Sequence, residues 1–173
     1  MSNPSACTVR TLQSTALLLS SLSAGTVLTL STFLVPRLLE SPTPIMLTQW
    51  SRTYARGAAT VPFAAATSAA AYLWLGLVGA GHKGGRLYLV ASALTVGIVP
   101  YTVGVMFGTN GRLKGLEGRY GVDAVVRAAG KEREVGVEEE EGAKRLVDWW
   151  GVLNLGRAGL LVAGTVCGLV ATL

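Results

Sequence analysis

Four long apolar windows alternate with polar connections along the chain, each close to the length of a membrane-crossing helix. They run Leu12–Val35, Gly57–Val78, Leu87–Phe107 and Trp149–Leu173. A helix rises about 1.5 Å per residue, so about 20 apolar residues cross a hydrocarbon core of about 30 Å. The pattern predicts an all-α chain, a bundle of four transmembrane helices in an integral, multi-pass membrane protein. It forms one domain over residues 1–173, with a long polar loop, residues 108–148, between the third and fourth helices. The first window is longer than a signal-peptide core of about 7–15 residues, so it is read as a retained helix.

Within the fourth window the polar residues are few and share a face. At about 100° per residue, Trp150, Asn154 and Arg157 fall within roughly 60°, and Leu161, Gly164 and Gly168 continue that face. Small residues at four-residue spacing let membrane helices approach closely, which turns this face toward partner helices. An arginine at membrane depth costs about 2.5–3.5 kcal/mol on insertion scales, so Arg157 is a functional-site candidate. The alternative is a side chain that snorkels to the interface.

The other windows add weaker faces. Gly97, Tyr101, Gly104 and Gly108 align in the third, with Gly104 and Gly108 as a second close-packing pair. Tyr101 lies about 10 Å deep, level with Arg157. In the first, Gly25, Thr29, Thr32 and Pro36 share a face. It is either a lightly polar cavity wall or threonines bonding back to their own helix. The second helix opens with Arg52 and Arg56 and becomes alanine-rich through Ala64–Ala71, a surface for tight packing or for something flat. Pro42, Pro44 and Trp50 predict an interfacial turn before it, anchored by Trp50. Asn110-Gly111 reads as a turn that ends the third helix.

Charge refines this picture. The net charge is +5, yet eight of the fifteen basic residues lie in the 108–148 loop among nine acidic ones. Without interleaved aromatics such a run is a solvated face, which argues against a nucleic-acid partner and leaves membrane lipid as the surroundings. Glu140–Lys144 and Glu141–Arg145 are i,i+4 pairs, so the loop's second half extends the fourth helix into solvent. Eleven Lys and Arg on one side against three on the other place the two longer connections in the cytosol. The single histidine, His82, sits in a Gly-rich loop on the far side, and there are two cysteines, Cys7 and Cys167, whose pairing stays open. That set cannot build a tetrahedral zinc site or a two-His iron site, so no metal is expected. No P-loop, dinucleotide motif or Ser–His–acid set is present either. The remaining chemical tools are amides, arginines, hydroxyls and aromatic walls.

The order of elements resembles the anthrone oxygenase family, small membrane proteins of polyketide gene clusters. Val35-Pro36 closes the first helix, Thr109-Asn110-Gly111-Arg112-Leu113 follows the third, and Trp150-x-x-x-Asn154-x-x-Arg157 opens the fourth. The resemblance covers nearly the whole chain, although the acidic stretch around Glu138 is longer than the family pattern. It implies oxidation of an aromatic polyketide anthrone to an anthraquinone by molecular oxygen, without a cofactor. Arg157, Asn154, Asn110 and Tyr101 would then be catalytic, with Trp150, Arg56, Thr29, Thr32 and Pro36 around the substrate. Its setting would be an endomembrane such as the endoplasmic reticulum in a eukaryote, and the Gly-rich helix faces offer surfaces for a homo-oligomer. Asp148 falls on the opposite helix face, so no general base is assigned. The competing reading is a non-catalytic membrane scaffold whose Asn and Arg bond helices together.

Overall fold

A computed structural model of the chain describes residues 4–79, 83–127 and 135–173. Four helices are long and apolar enough to cross a membrane: α1 (Ala6–Leu39), α2 (Thr43–Val78), α3 (Gly84–Arg127) and α4 (Val137–Thr172). No strand occurs among the described residues. The helices form a ring in which α1 and α3 each pack against both α2 and α4. Large apolar side chains such as Leu22, Phe33, Phe63, Leu77 and Phe107 stay exposed on the outside. In water such a surface would be a liability; in a bilayer it is the expected lipid-facing belt.

Close approach between helices depends on glycines where the sequence placed them on α4. A Cβ at Gly164 would lie 2.7 Å from Thr95 Oγ1, and one at Gly168 would lie 2.6 Å from Tyr72 Cζ. Buried hydroxyls then fasten the far half across helices: Ser68 donates to the Ala16 carbonyl at 2.8 Å, and Ser92 to the Ala69 carbonyl at 2.8 Å. Tyr72 and Ser20 hydroxyls meet at 3.0 Å. Such bonds matter because lipid offers no alternative partner to a polar group.

The polar loop expected over residues 108–148 is, in its described parts, helical. Helix continues through Phe107–Tyr120, a short turn follows at Val122–Arg127, and α4 begins at Val137. The expected extension of the fourth helix is thus present, with Glu140 and Lys144 paired at 2.7 Å. What holds the first part is an apolar stripe. Leu113 and Tyr120 pack with Leu47, Trp50, Ala143, Val147 and Trp150 in one core at this end of the bundle. Thr48 Oγ1 also accepts from the Val122 N–H at 2.9 Å, tying the segment back to α2. Helix α2 likewise begins at Thr43, fourteen positions before the predicted start at Gly57. Trp50 is therefore a fully buried core residue and not an interfacial anchor. His82 lies outside the described residues, and both cysteines are free.

Two helices carry wide turns and a third an internal proline. In α1 the turns widen to a π-helix over Leu30–Leu34, where the Val35 N–H bonds to the Leu30 carbonyl. Pro36 follows directly; it has no N–H and its ring collides with the carbonyl four residues back, so the regular ladder cannot run through. A second π segment spans Thr102–Met106 in α3, just after Pro100. Helix α2 carries Pro62 in its interior. Each wide turn adds a residue and rotates everything beyond it, so faces projected at 100° per residue go out of phase there. Gly104 and Gly108 accordingly have nothing within 4 Å of a built Cβ, and the close-packing pair predicted on α3 points outward.

Candidate active-site cavity

Beside these distortions the bundle encloses a cavity of about 150 Å³. All four helices contribute: Val27 and Leu30 from α1, Tyr54, Val61 and Pro62 from α2, Ile98 and Thr102 from α3, and Trp150 with Arg157 from α4. The lining is overwhelmingly apolar, and Arg157 is its one cation among the lining residues. Ala58, Val99 and Val103 also line it while being exposed on the bundle surface, so it opens sideways between α2 and α3. That mouth lies within the apolar windows, facing hydrocarbon. Glycine Gly57 in the same wall leaves the backbone of α2 bare beside the cavity.

The α4 motif explains how the guanidinium is held. Asn154, fully buried, donates from Nδ2 to the Trp150 carbonyl one turn earlier at 2.9 Å. Its Oδ1 is thereby aimed down the helix and accepts from Arg157 Nη1 at 3.2 Å. Trp150 in turn donates from Nε1 to Asn110 Oδ1 on α3 at 3.0 Å. The spacing W-x-x-x-N-x-x-R is thus one intrahelical relay, anchored at its start to a neighbouring helix. Arg157 Nε is buried and has no hydrogen-bond partner, so one charged donor of this lining residue is left unused. An unpaired buried donor is costly, of order 1–3 kcal/mol or more for a charged group, and positions of this kind cluster at functional sites.

The predicted site residues divide on this geometry. Arg157 and Trp150 line the cavity. Asn154 and Asn110 are buried behind it, and their bonds fix Arg157 and Trp150. Tyr101 reaches across to α4, where its hydroxyl donates to the Leu153 carbonyl at 3.1 Å and its ring rests on Gly156. It braces α3 against α4 without lining the cavity. Arg56 is exposed and does not line it either. Thr29, Thr32 and Pro36 lie on the exposed outer face of α1, and Thr32 bonds back to the Leu28 carbonyl at 2.9 Å. The inward face of α1 carries Val27, Leu30 and Ser31, the last donating to the Gly151 carbonyl at 2.9 Å. So Thr32 satisfies its hydroxyl along its own helix, as a hydroxyl in lipid must.

Sequence reasoning missed Tyr54. It lines the cavity with Arg157, close enough for the two groups to interact electrostatically. Its ring stacks on Trp50 at 5.3 Å, Trp50 meets Trp150 edge-on at 5.9 Å, and Lys114 Nζ lies 4.7 Å from the Tyr54 ring centre. The signal was available once α2 is started at Thr43, because Trp50, Tyr54, Gly57 and Val61 then follow at helical spacing on one face. Asp148 is exposed, and no carboxylate lines the cavity.

Four helices long and apolar enough to cross a membrane, around an apolar, laterally open cavity with one fixed guanidinium, define the class as a four-helix membrane protein. The family model described as anthrone oxygenase matches residues 50–167, and the chain belongs to the anthrone oxygenase family, a family of oxygenase enzymes. It is 40% identical over 110 residues to an anthrone oxygenase of Emericella nidulans, covering 62% of this chain and 57% of that relative. An anthrone oxygenase of Claviceps purpurea is 31% identical over 148 residues, covering 84% and 79%. AgnL2 of Paecilomyces divaricatus, also named an anthrone oxygenase, is 30% identical over 161 residues, covering 90% and 92%. No solved structure matches the chain.

Proposed function

We propose that the protein oxidises a polyketide anthrone to an anthraquinone with molecular oxygen and no bound cofactor, within an endomembrane if its source is eukaryotic. The observation that carries this reading is the Arg157 guanidinium, a cation with donors left unpaired, among the residues that line an apolar cavity open to lipid. An anthrone is a flat tricyclic ketone that dissolves in lipid, and it becomes an electron-rich anion when its ring CH₂ loses a proton. That anion passes one electron to oxygen, the two radicals combine to a peroxide, and loss of water leaves the second carbonyl. The chain's part is to hold the ring, stabilise the oxyanion and exclude bulk water. Trp150 and Tyr54 supply the aromatic wall, backed by the buried Trp50, and Arg157 the charge, while Asn154 keeps the guanidinium in place.

Asn110 does bond across helices, accepting from Trp150, but the polar pair of α4 does not serve a scaffold in that way. Arg157 and Asn154 spend their hydrogen bonds inside α4, so they do not fasten α4 to its neighbours. Oxygen uptake by the purified protein in lipid nanodiscs, with an anthrone supplied, is the direct test. Stoichiometric anthraquinone formation that survives chelators is expected. Absence of uptake above a protein-free control removes the assignment, and activity lost to chelation but restored by one metal removes the cofactor-free chemistry.

A further inference from the structure

The cavity holds a second oxygen-directed donor that neither the motif nor the family resemblance points to. Tyr54 has its ring fixed by stacking on Trp50 at 5.3 Å and by the Lys114 ammonium at 4.7 Å from its centre. With the ring held, the hydroxyl has one remaining freedom, rotation of its O–H bond. Among the described residues nothing donates to or accepts from that hydroxyl. The contrast with the other tyrosines of the bundle is direct. Tyr101 donates to Leu153, Tyr72 meets Ser20, and Tyr88 meets Gln13 and Thr172. A tyrosine hydroxyl inside an apolar bundle ordinarily finds a partner. Here two groups with donors left unused, the Tyr54 hydroxyl and the Arg157 guanidinium, belong to residues that line one cavity.

We propose that Tyr54 is a further catalytic residue, forming with Arg157 a two-donor site for the substrate's carbonyl oxygen and acting as the acid that enolises it. The proposal rests on the anthrone reading given above. In the step, water takes a proton from the ring CH₂ opposite the carbonyl. The C–H electron pair enters the central ring, which becomes aromatic, and the carbonyl π pair takes the Tyr54 proton. The hydronium ion then returns its proton to the Tyr54 oxygen. The net change is a keto–enol isomerisation with no electron gained or lost, and oxygen is needed only afterwards. Arg157 stabilises negative charge on the same oxygen while the proton is in flight. General acid catalysis by a positioned side chain contributes about 10²–10⁴-fold.

Because enolisation needs no oxygen, it can be measured apart from the oxidation. The wild-type protein in nanodiscs is incubated anaerobically with an anthrone in deuterated water, and exchange at the ring CH₂ is followed by NMR. Oxygen uptake is measured separately in air. Tyr54→Phe keeps the ring stacked on Trp50 and under Lys114 and removes only the hydroxyl. We expect wild-type protein to accelerate exchange, and Tyr54→Phe to lose about 10²-fold or more of that acceleration with the melting temperature unchanged. Tyr72→Phe, which loses a hydroxyl bond far from the cavity, lowers the melting temperature and leaves exchange unchanged. Full exchange and turnover in Tyr54→Phe, or an equal loss in Tyr72→Phe, overturns the role of Tyr54. Oxygen uptake by the wild type without faster exchange overturns it too. A wild-type protein with neither exchange nor uptake overturns the anthrone reading itself.

Discussion

Replacing Arg157 by lysine separates its chemical role from its structural one, because the two nitrogens of the guanidinium that matter do different jobs. Nη1 is committed to Asn154 Oδ1 at 3.2 Å, and the rest of the guanidinium, its buried Nε included, has no hydrogen-bond partner among the described residues. Lysine keeps the charge but carries one nitrogen on a flexible stem, so it can satisfy Asn154 or face the substrate and not both. Losing one oxyanion donor costs about 10²–10³ in kcat, equivalent to about 2.7–4 kcal/mol. The structural loss is smaller, since a polar bond between membrane side chains averages about 0.6 kcal/mol. Turnover should therefore collapse while the melting temperature barely moves. Arg157→Leu should lower turnover further yet insert more easily, because the apolar side chain carries no penalty at that depth. The assay is oxygen uptake with an anthrone, run beside thermal melting of both variants in the same detergent. Wild-type turnover in Arg157→Lys would end the catalytic role, and a melting temperature that falls in step with activity would make the residue a packing element.

Asn110→Leu leaves the Trp150 Nε1–H buried without an acceptor and should destabilise the fold by about 1–3 kcal/mol, read as a lower melting temperature. The glycines make a paired test: Gly168→Ala pushes a methyl against the Tyr72 ring and should cost about 1–3 kcal/mol, whereas Gly104→Ala, with open space around it, should leave thermal stability unchanged. If substrate arrives through lipid, Ala58→Trp with Val103→Trp should narrow the mouth between α2 and α3 and lower kcat/KM at least tenfold for an anthrone delivered in vesicles. An unchanged kcat/KM in that double variant places the entrance elsewhere.

Much of this protein was legible in its sequence because the bilayer leaves a chain few options. Every backbone amide in hydrocarbon must bond within its own segment, so four apolar windows meant four helices before any contact was known. The α4 face was legible for a related reason. That helix runs regularly from Val137 to Thr172, so projection at 100° per residue correctly placed Trp150, Asn154, Leu161, Gly164 and Gly168 inside. Projection failed on α3, where a π segment beside Pro100 shifts the phase and sends Gly104 and Gly108 to the outside; on α1 Gly25, Thr29, Thr32 and Pro36 do share a face, but it is the exposed outer one. It also failed over residues 108–148. Their charges and glycines looked like loop, although Asn110, Leu113 and Tyr120 lie at helical spacing and are buried. Only the packed structure decided which of two candidate roles each polar side chain took. Whether Asn154 faces substrate or holds Arg157 depends on which acceptor lies nearest in three dimensions. Tyr54 became a site residue because Trp50 and Lys114, 64 positions apart, clamp its ring beside Arg157. A sequence pattern reports the face a residue occupies on its own helix; a partner on another helix, as Asn110 is for Trp150, depends also on that helix's phase, which distortions such as the π segment of α3 set.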